Sequence, residues 1–250
     1  MSVGNVTLEG AWYAKRGGKM RELYTLLHLP YTSMVLSYVL IGASLSPRIY
    51  FDRLILTLLA YFLGLGLSAH ALNELHARHW GESLSRRELG IVFVAPLIAA
   101  LIIGGYGVMV LYDSSRPYIA AFLCIFIVLE TFFLFAYNLG YSRFHSDLAF
   151  AFSWAALPCI ISYYVNSLSL SISILLIALG LAATAAIEIN LSRWCKALRR
   201  RGGTSEHTLA DNTRLTTRSL IGEPEKALKL VVVAVDLIGL GLFVWRSIGG

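Results

Sequence analysis

Apolar residues occur along most of this chain in blocks of roughly 20, separated by short polar stretches. A helix of about 20 apolar residues is long enough to cross the ~30 Å hydrocarbon core of a bilayer. Turn-forming residues fall between the blocks, with Pro47 after the first, Pro117 at the start of the fourth and Gly202–Gly203 in a long polar segment. The pattern predicts seven membrane-spanning helices, at residues 24–45, 54–76, 90–112, 117–138, 148–166, 171–193 and 228–246.

The composition supports a membrane protein, since 57% of the 250 residues are hydrophobic and only 14% are charged, against about 25% charged in soluble domains. We therefore expect an all-α, polytopic helical bundle. Residues 1–22 would form a polar tail without a cleavable signal peptide, and residues 23–250 a single domain with a polar loop or surface hairpin at 195–227. Three widely separated cysteines lack metal-ligand spacing and are interpreted as packing residues.

The positive charge of the chain is distributed unevenly between the two sides of the predicted bundle. Of 21 Lys and Arg residues, 17 fall on the side of the N-terminus. Because cytoplasmic loops are enriched in these residues, we predict a multi-pass cell-membrane protein with a cytoplasmic N-terminus and an external C-terminus. The net charge of +6 is explained by this topology, and we expect no nucleic-acid partner.

Ionisable side chains inside the predicted spans are the first candidates for chemistry. Such residues are costly in a bilayer and tend to face the bundle interior or a wet cavity. They are His70, Glu74, Glu130, Glu188 and Asp236. Glu130 and Asp236 are lone acids in otherwise apolar helices, and each could pair with a basic group, be protonated or take part in catalysis.

The second span ends in the polar sequence HALNELHARHWG at residues 70–81. His70, Glu74 and Arg78 are spaced by four residues, so they share one helix face, with Asn73 beside them. Such a face could bind a metal ion, relay a proton or form an internal polar network.

A second polar cluster, YNLGYSRFHSD at residues 137–147, precedes the fifth span. Ser146 or Asp147 is placed to cap that helix. Alternatively, His145 and Asp147 could complete a metal site with His70 and Glu74. This mixed nitrogen and oxygen set would suit zinc or iron better than magnesium.

The sixth span ends in the sequence AIEINLSRWCKALRRRGG. Glu188, Ser192 and Lys196 are spaced by four and share a helix face. Asn190 and Arg193 lie on the neighbouring face, near the predicted cytoplasmic end. The basic run that follows could bind anionic headgroups or a diphosphate, or act only as a topology signal.

Four stretches, in this order, resemble the UbiA superfamily of intramembrane prenyltransferases: RELYTLLHLPYTSMVLSYVLIGASL, LNELHARHWG, YNLGYSRFHSDLAFAFSWAALPCIISYYV and GLAATAAIEINLSRWCKALRRRGGT. The resemblance covers roughly residues 20–245. It implies a helical bundle with a central cavity that binds a prenyl diphosphate at the cytoplasmic end. The implied activity is that of a transferase of alkyl groups, which ionises the allylic diphosphate and transfers the prenyl group to an acceptor.

The resemblance also implies roles for particular residues. Magnesium, which prefers carboxylate and phosphate oxygens, would bridge the diphosphate to the protein, and neutralising its charge would drive ionisation. The implied catalytic residues are His70, Glu74 and Glu188. The implied substrate-binding residues are Asn73, Arg78, Tyr137, Arg143, Asn190, Arg193 and Lys196.

The aspartates of both family motifs are replaced in this chain, and seven spans are fewer than the usual nine. In the first motif the corresponding positions are His70, Glu74 and Arg78, or alternatively Asn73, Ala77 and Gly81. Two other functions therefore stay open. One is a membrane metalloenzyme that acts on a lipid or quinone through the zinc or iron site. The other is a non-catalytic lipid-binding or assembly protein built on the same scaffold.

Overall fold

A computed structural model describes residues 11–15, 17–77, 83–114, 116–201, 207–208, 211 and 214–249. The α-helices are α1 Lys19–Leu26, α2 Leu29–Ser44, α3 Phe51–Tyr61, α4 His70–Ala77, α5 Arg86–Asp113, α6 Pro117–Asn138, α7 Asp147–Ala151, α8 Leu157–Ser167, α9 Ile172–Arg201 and α10 Thr217–Gly249. Two π-helical segments, Phe62–Ala69 and Phe152–Ala156, join α3 to α4 and α7 to α8. A pair of two-residue antiparallel strands, β1 His207–Thr208 and β2 Arg214–Leu215, lies between α9 and α10.

Seven of the resulting helical units are long and apolar enough to cross a membrane, which confirms the predicted all-α, multi-pass bundle. We number them as spans one to seven: Lys19–Ser44, Phe51–Ala77, Arg86–Asp113, Pro117–Asn138, Asp147–Ser167, Ile172–Arg199 and Ser219–Gly249. We call the end of the bundle at which spans one, three, five and seven begin the basic end, and the opposite end the far end.

The polar segment 195–227, expected to be a loop or surface hairpin, is helical at both of its ends. Helix α9 continues to Arg201 and α10 begins at Thr217. The two helices contact each other beyond the apolar region, where Cys195 is buried and Arg199 forms an ion pair with Glu225. This packing, together with good helix formers such as Lys, Leu and Arg, extends both helices into the sequence predicted as a loop.

Spans one and five form the middle of the bundle. Within their apolar windows 67% and 83% of residues are buried, against at most 56% in any other span. Spans two, three and four pack on one side of this central pair, and spans six and seven pack on the other side. The bundle therefore has two interior regions, one on each side of spans one and five.

A glycine allows the two central spans to approach each other. A Cβ atom added at Gly42 would lie 2.1 Å from the backbone oxygen of Cys159. The Ser162 hydroxyl donates to the Val39 carbonyl across the same contact at 2.6 Å. Small residues at helix crossings allow this kind of backbone approach in membranes, so the position of span five relative to span one depends on Gly42.

Three spans are interrupted near the basic end. Span one breaks between α1 and α2, where His28 adopts a left-handed backbone conformation with φ 42°. Spans two and five contain the π-helical segments, and Pro158 is the second residue of α8, the helix that follows the second of these segments. Such π-helical turns are frequent at functional sites, and a non-glycine residue at positive φ costs about 1 kcal/mol or more.

Candidate functional site

Aromatic side chains from four spans and the N-terminal segment form a continuous set of ring contacts at the basic end. We call this set the aromatic row, and its members are Tyr13, His28, Tyr31, His70, Trp154, Phe150, Tyr137 and His145. The ring centroids of the members in contact are 4.1–6.1 Å apart. The row connects spans one, two, five and four.

The helix interruptions position the centre of this row. His70 is the first residue after the π-helical segment of span two, and Trp154 lies within the π-helical segment of span five. Their rings are 5.1 Å apart. The ring of His28 stacks on that of His70 at 4.1 Å with an interplanar angle of 10°, and its Nδ1 lies 3.0 Å from the backbone oxygen of Leu26. The strained conformation of His28 is thus held by stacking and by a local hydrogen bond.

Glu188 lies in the interface between spans one and six, next to the aromatic row. Tyr31 donates to Ser192 at 2.5 Å, and the hydroxyls of Tyr38 and Thr184 are 2.9 Å apart. Thr184, Glu188 and Ser192 are one helical turn apart from each other and share a face of span six. Glu188 therefore lies between two hydrogen bonds that join the spans, and it is 2% exposed.

Asp236, the lone acid of its predicted span, has polar neighbours in two other spans. It accepts a hydrogen bond from Ser37 of span one at 2.7 Å, and it is close enough to Glu188 for electrostatic interaction. Spans one, six and seven meet at this point, so packing brings two acids that are 48 positions apart in sequence into the same region.

A third part of the site lies where spans four, five and six meet. Arg193 forms an ion pair with Asp147 and lies beside the Tyr137 hydroxyl. His145 stacks on Tyr137 at 4.7 Å, and its Nδ1 lies 2.8 Å from the Tyr137 backbone oxygen. The cap of span five is Ser146, whose hydroxyl accepts from a backbone N–H in the first turn at 3.2 Å.

Four polar atoms of this region are buried and have no hydrogen-bond partner among the described residues. They are His70 Nε2, Trp154 Nε1, Glu188 Oε1 and Arg193 Nη2. Most buried polar groups in proteins are hydrogen-bonded, and exceptions commonly mark the position of a water, an ion or a ligand. Four such atoms at one end of a bundle identify a candidate binding site.

The predicted metal ligands do not converge. His145 stacks on Tyr137, and Asp147 pairs with Arg193. Across the part of the chain that the structure describes, no group of three or more His, Cys, Asp and Glu side chains is placed to hold a metal ion. The described residues therefore do not form the zinc or iron site predicted from His70, Glu74, His145 and Asp147.

The remaining candidates are divided between the interior and the surface. Tyr137, Arg193, His70, Glu74 and Glu188 are buried or half-buried at the basic end. The side chains of Arg143, Asn190 and Lys196 are exposed. Asn190 donates to a backbone carbonyl of its own helix at 2.8 Å, because two residues of helix rotate it away from Glu188.

Span two carries two further candidates, Asn73 and Arg78. Asn73 is half-buried beside Glu74 on α4. Arg78 lies outside the described residues. Of the predicted helix face formed by His70, Glu74 and Arg78, the structure therefore describes only His70 and Glu74, and both are buried.

Five members of the aromatic row are absent from the candidates predicted from the sequence, namely Tyr13, His28, Tyr31, Phe150 and Trp154. The stretch HLPY at residues 28–31 contains a usable signal, since a polar residue before Leu-Pro marks a break in an apolar helix. The contact of His28 with His70 has no such signal, because the two residues belong to different spans.

Comparisons with protein-family models, curated proteins and solved structures find no match to this chain. Membership in the UbiA superfamily therefore stays a prediction that rests on four sequence stretches.

Proposed function

We propose that this chain is a lipid-binding membrane protein of UbiA-like architecture that binds the headgroup of an isoprenoid diphosphate, or of a related anionic lipid, at its basic end. The observation that carries the proposal is the group of buried, unpartnered polar atoms along the aromatic row.

The chemistry of these atoms favours an anion. Trp154 Nε1 and Arg193 Nη2 are N–H donors, and His70 Nε2 is a third donor in one of its two neutral tautomers. Hydrogen bonds from charged donors to phosphate oxygens are roughly twice as strong as neutral ones. Arg193 thus supplies the charge of the site, and the indole and imidazole supply further hydrogen bonds.

Glu188 has a different role from the N–H donors in the proposed site. It lies five residues from Arg193 along α9, or about 7.5 Å towards the bundle centre, and its neighbours are tyrosine hydroxyls. Its unpartnered oxygen would accept a hydrogen bond from water or from a hydroxyl of the ligand. It would not contact the anionic group.

The proposal is for binding and does not extend to prenyl transfer. The unpartnered N–H donors account for holding an anion, and they do not by themselves supply a group that would drive its ionisation. The lipid-binding alternative among the sequence-based hypotheses therefore fits the geometry best.

Binding of farnesyl diphosphate to the full-length protein in lipid nanodiscs tests the proposal. We expect saturable binding whose affinity is the same in magnesium and in EDTA. Arg193→Ala should weaken it by about 10- to 100-fold, the range for losing a hydrogen bond to a charged group.

The matched control is Arg143→Ala, which removes an exposed arginine at the same end and should leave the affinity unchanged. If no farnesyl diphosphate binds with or without magnesium, the proposal is wrong. Binding only in the presence of magnesium would instead support the prenyltransferase interpretation.

A further inference from the structure

A cavity of about 260 Å³ lies between spans two, three, four and five, on the side of the bundle opposite Glu188. Half of the residues in its wall are Leu, Ile or Val. Gly64 of span two and Gly104 and Gly107 of span three contribute to the wall, and their small size leaves space between the helices. Asp52 and Arg53 line the cavity where span two begins at the far end.

Two polar groups lie in the wall at the membrane interior. Glu130 of span four and Tyr61 of span two both line the cavity, and the Tyr61 hydroxyl lies beside the Glu130 carboxyl. Tyr61 Oη and both Glu130 carboxyl oxygens are buried, yet none makes a hydrogen bond of normal geometry to a described residue. Along α6, Glu130 is 13 residues from the far end and 8 residues from the basic end, so it lies deep in the bilayer.

Three other polar side chains of the wall already have partners, and the remaining two, Asp52 and Tyr106, are exposed. The hydroxyls of Thr57 and Thr131 donate to carbonyls of their own helices at 2.7 and 2.8 Å. Arg53 donates to the backbone oxygen of Val165 at 2.7 Å and lies over the ring of Tyr50. Among the described residues of the wall, the buried and unused hydrogen-bonding groups are therefore those of Glu130 and Tyr61.

The charge of the Glu130 side chain determines which class of ligand the cavity can bind. Within the described chain no cationic side chain forms an ion pair with it, and an ionised carboxylate without such a partner is very costly in hydrocarbon. A neutral carboxyl and a tyrosine hydroxyl each offer one O–H donor and an acceptor. A ligand hydroxyl is complementary to this pair, because it donates to one group and accepts from the other.

We propose that this cavity binds a lipophilic alcohol, whose hydroxyl contacts Glu130 and Tyr61 and whose apolar body extends towards Arg53. Eight residues separate Tyr61 from Arg53 on span two, which corresponds to about 12 Å of helix. The apolar body thus has a length comparable to that of a lipid chain segment. The cavity is separate from Glu188 and Arg193 of the basic end, since spans one and five lie between it and span six.

Photolabelling of the full-length protein in nanodiscs tests the inference. The probe is hexadecan-1-ol that carries a diazirine close to its hydroxyl, and labelled peptides are identified by mass spectrometry. We expect saturable labelling of the peptides that contain Tyr61 and Glu130. Unlabelled hexadecan-1-ol should compete, whereas its methyl ether, which has no O–H donor, should compete about tenfold more weakly.

Two variants test the geometry. Glu130→Leu removes the polar partner, and Ala100→Phe fills the cavity from span three, so both should reduce labelling at least about tenfold. Ala183→Phe adds the same bulk on an exposed position of span six and serves as the control. Arg193→Ala should leave the labelling unchanged, which separates this inference from the proposed function at the basic end.

Equal competition by the alcohol and its methyl ether would overturn the inference, and this comparison requires no variant. Equal labelling of Ala100→Phe and the unaltered protein would overturn it as well. Size-exclusion chromatography of each variant establishes that reduced labelling does not reflect unfolding.

Discussion

Replacing Gly42 by alanine should separate the two central spans and destabilise the whole bundle. The added Cβ atom would lie 2.1 Å from the Cys159 backbone oxygen, whereas carbon–oxygen contacts of this kind are about 3.3 Å. The helices must therefore move apart by about 1.2 Å. The obstacle is backbone, so no side-chain rotation relieves the contact.

The magnitude follows from two effects. Overpacking of a tight interior costs typically about 1–3 kcal/mol. Moving span five away from span one also weakens the hydrogen bond from Ser162 to Val39, which is worth about 1 kcal/mol. We expect a loss of about 3 kcal/mol in the free energy of unfolding, or roughly 100-fold in the unfolding equilibrium constant.

The assay is equilibrium unfolding in mixed micelles, titrated with a denaturing detergent and followed by tryptophan fluorescence. Gly180→Ala is the matched control, since a Cβ there meets nothing within 4 Å. Its higher helix propensity should stabilise the protein by up to about 1 kcal/mol. The two substitutions are chemically identical and are expected to act in opposite directions.

Two outcomes of this titration would refute the reasoning about Gly42. If Gly42→Ala unfolds at the same detergent concentration as the unaltered protein, close packing of spans one and five does not determine stability. If both variants are more stable than the unaltered protein, helix propensity dominates over the contact with Cys159. Because span five carries Trp154, we also expect Gly42→Ala to weaken farnesyl diphosphate binding at the basic end.

Three further predictions concern local contacts and orientation. Ser146→Ala should lower the unfolding free energy by about 1 kcal/mol in the same detergent titration, because it removes the cap of span five. Arg199→Ala should destabilise the contact between spans six and seven by about 1–2 kcal/mol. Its partner Glu225 keeps an ion pair with Lys229 at 3.1 Å, so the loss of unfolding free energy should be smaller than for a fully unpaired buried charge. A loss above about 3 kcal/mol would contradict this expectation. If the C-terminus is external as predicted, alkaline phosphatase fused to it should be active and green fluorescent protein fused to it should not fluoresce. The opposite pattern would show that the predicted orientation is wrong.

The sequence by itself determined the number of spans and the fold class. The thickness of the hydrocarbon core requires about 20 apolar residues per helix, and every backbone polar group in a span must be satisfied within its own helix. Both requirements are local, so apolar blocks were sufficient to locate all seven helices to within a few residues at most ends. The exception was the 195–227 segment, where contacts between α9 and α10 extend the helices through polar sequence.

Part of the candidate site was also accessible from the sequence. Ionisable residues inside spans are costly, and this argument selected His70, Glu74 and Glu188, which are all buried. Helical spacing also placed Glu188 and Ser192 on one face, as the structure has them.

Only the tertiary structure decided which of these faces meet. The contacts between spans depend on how whole helices are rotated and paired. This holds for the stacking of His28 on His70 and for the approach of Asp236 to Glu188. It also explains why His145 does not join the predicted metal ligands. A π-helical turn changes the angular phase of all residues after it, so spacing by four does not carry across Phe62–Ala69 or Phe152–Ala156. The cavity at Glu130 has the same origin, because its wall is assembled from four spans whose contacts are non-local.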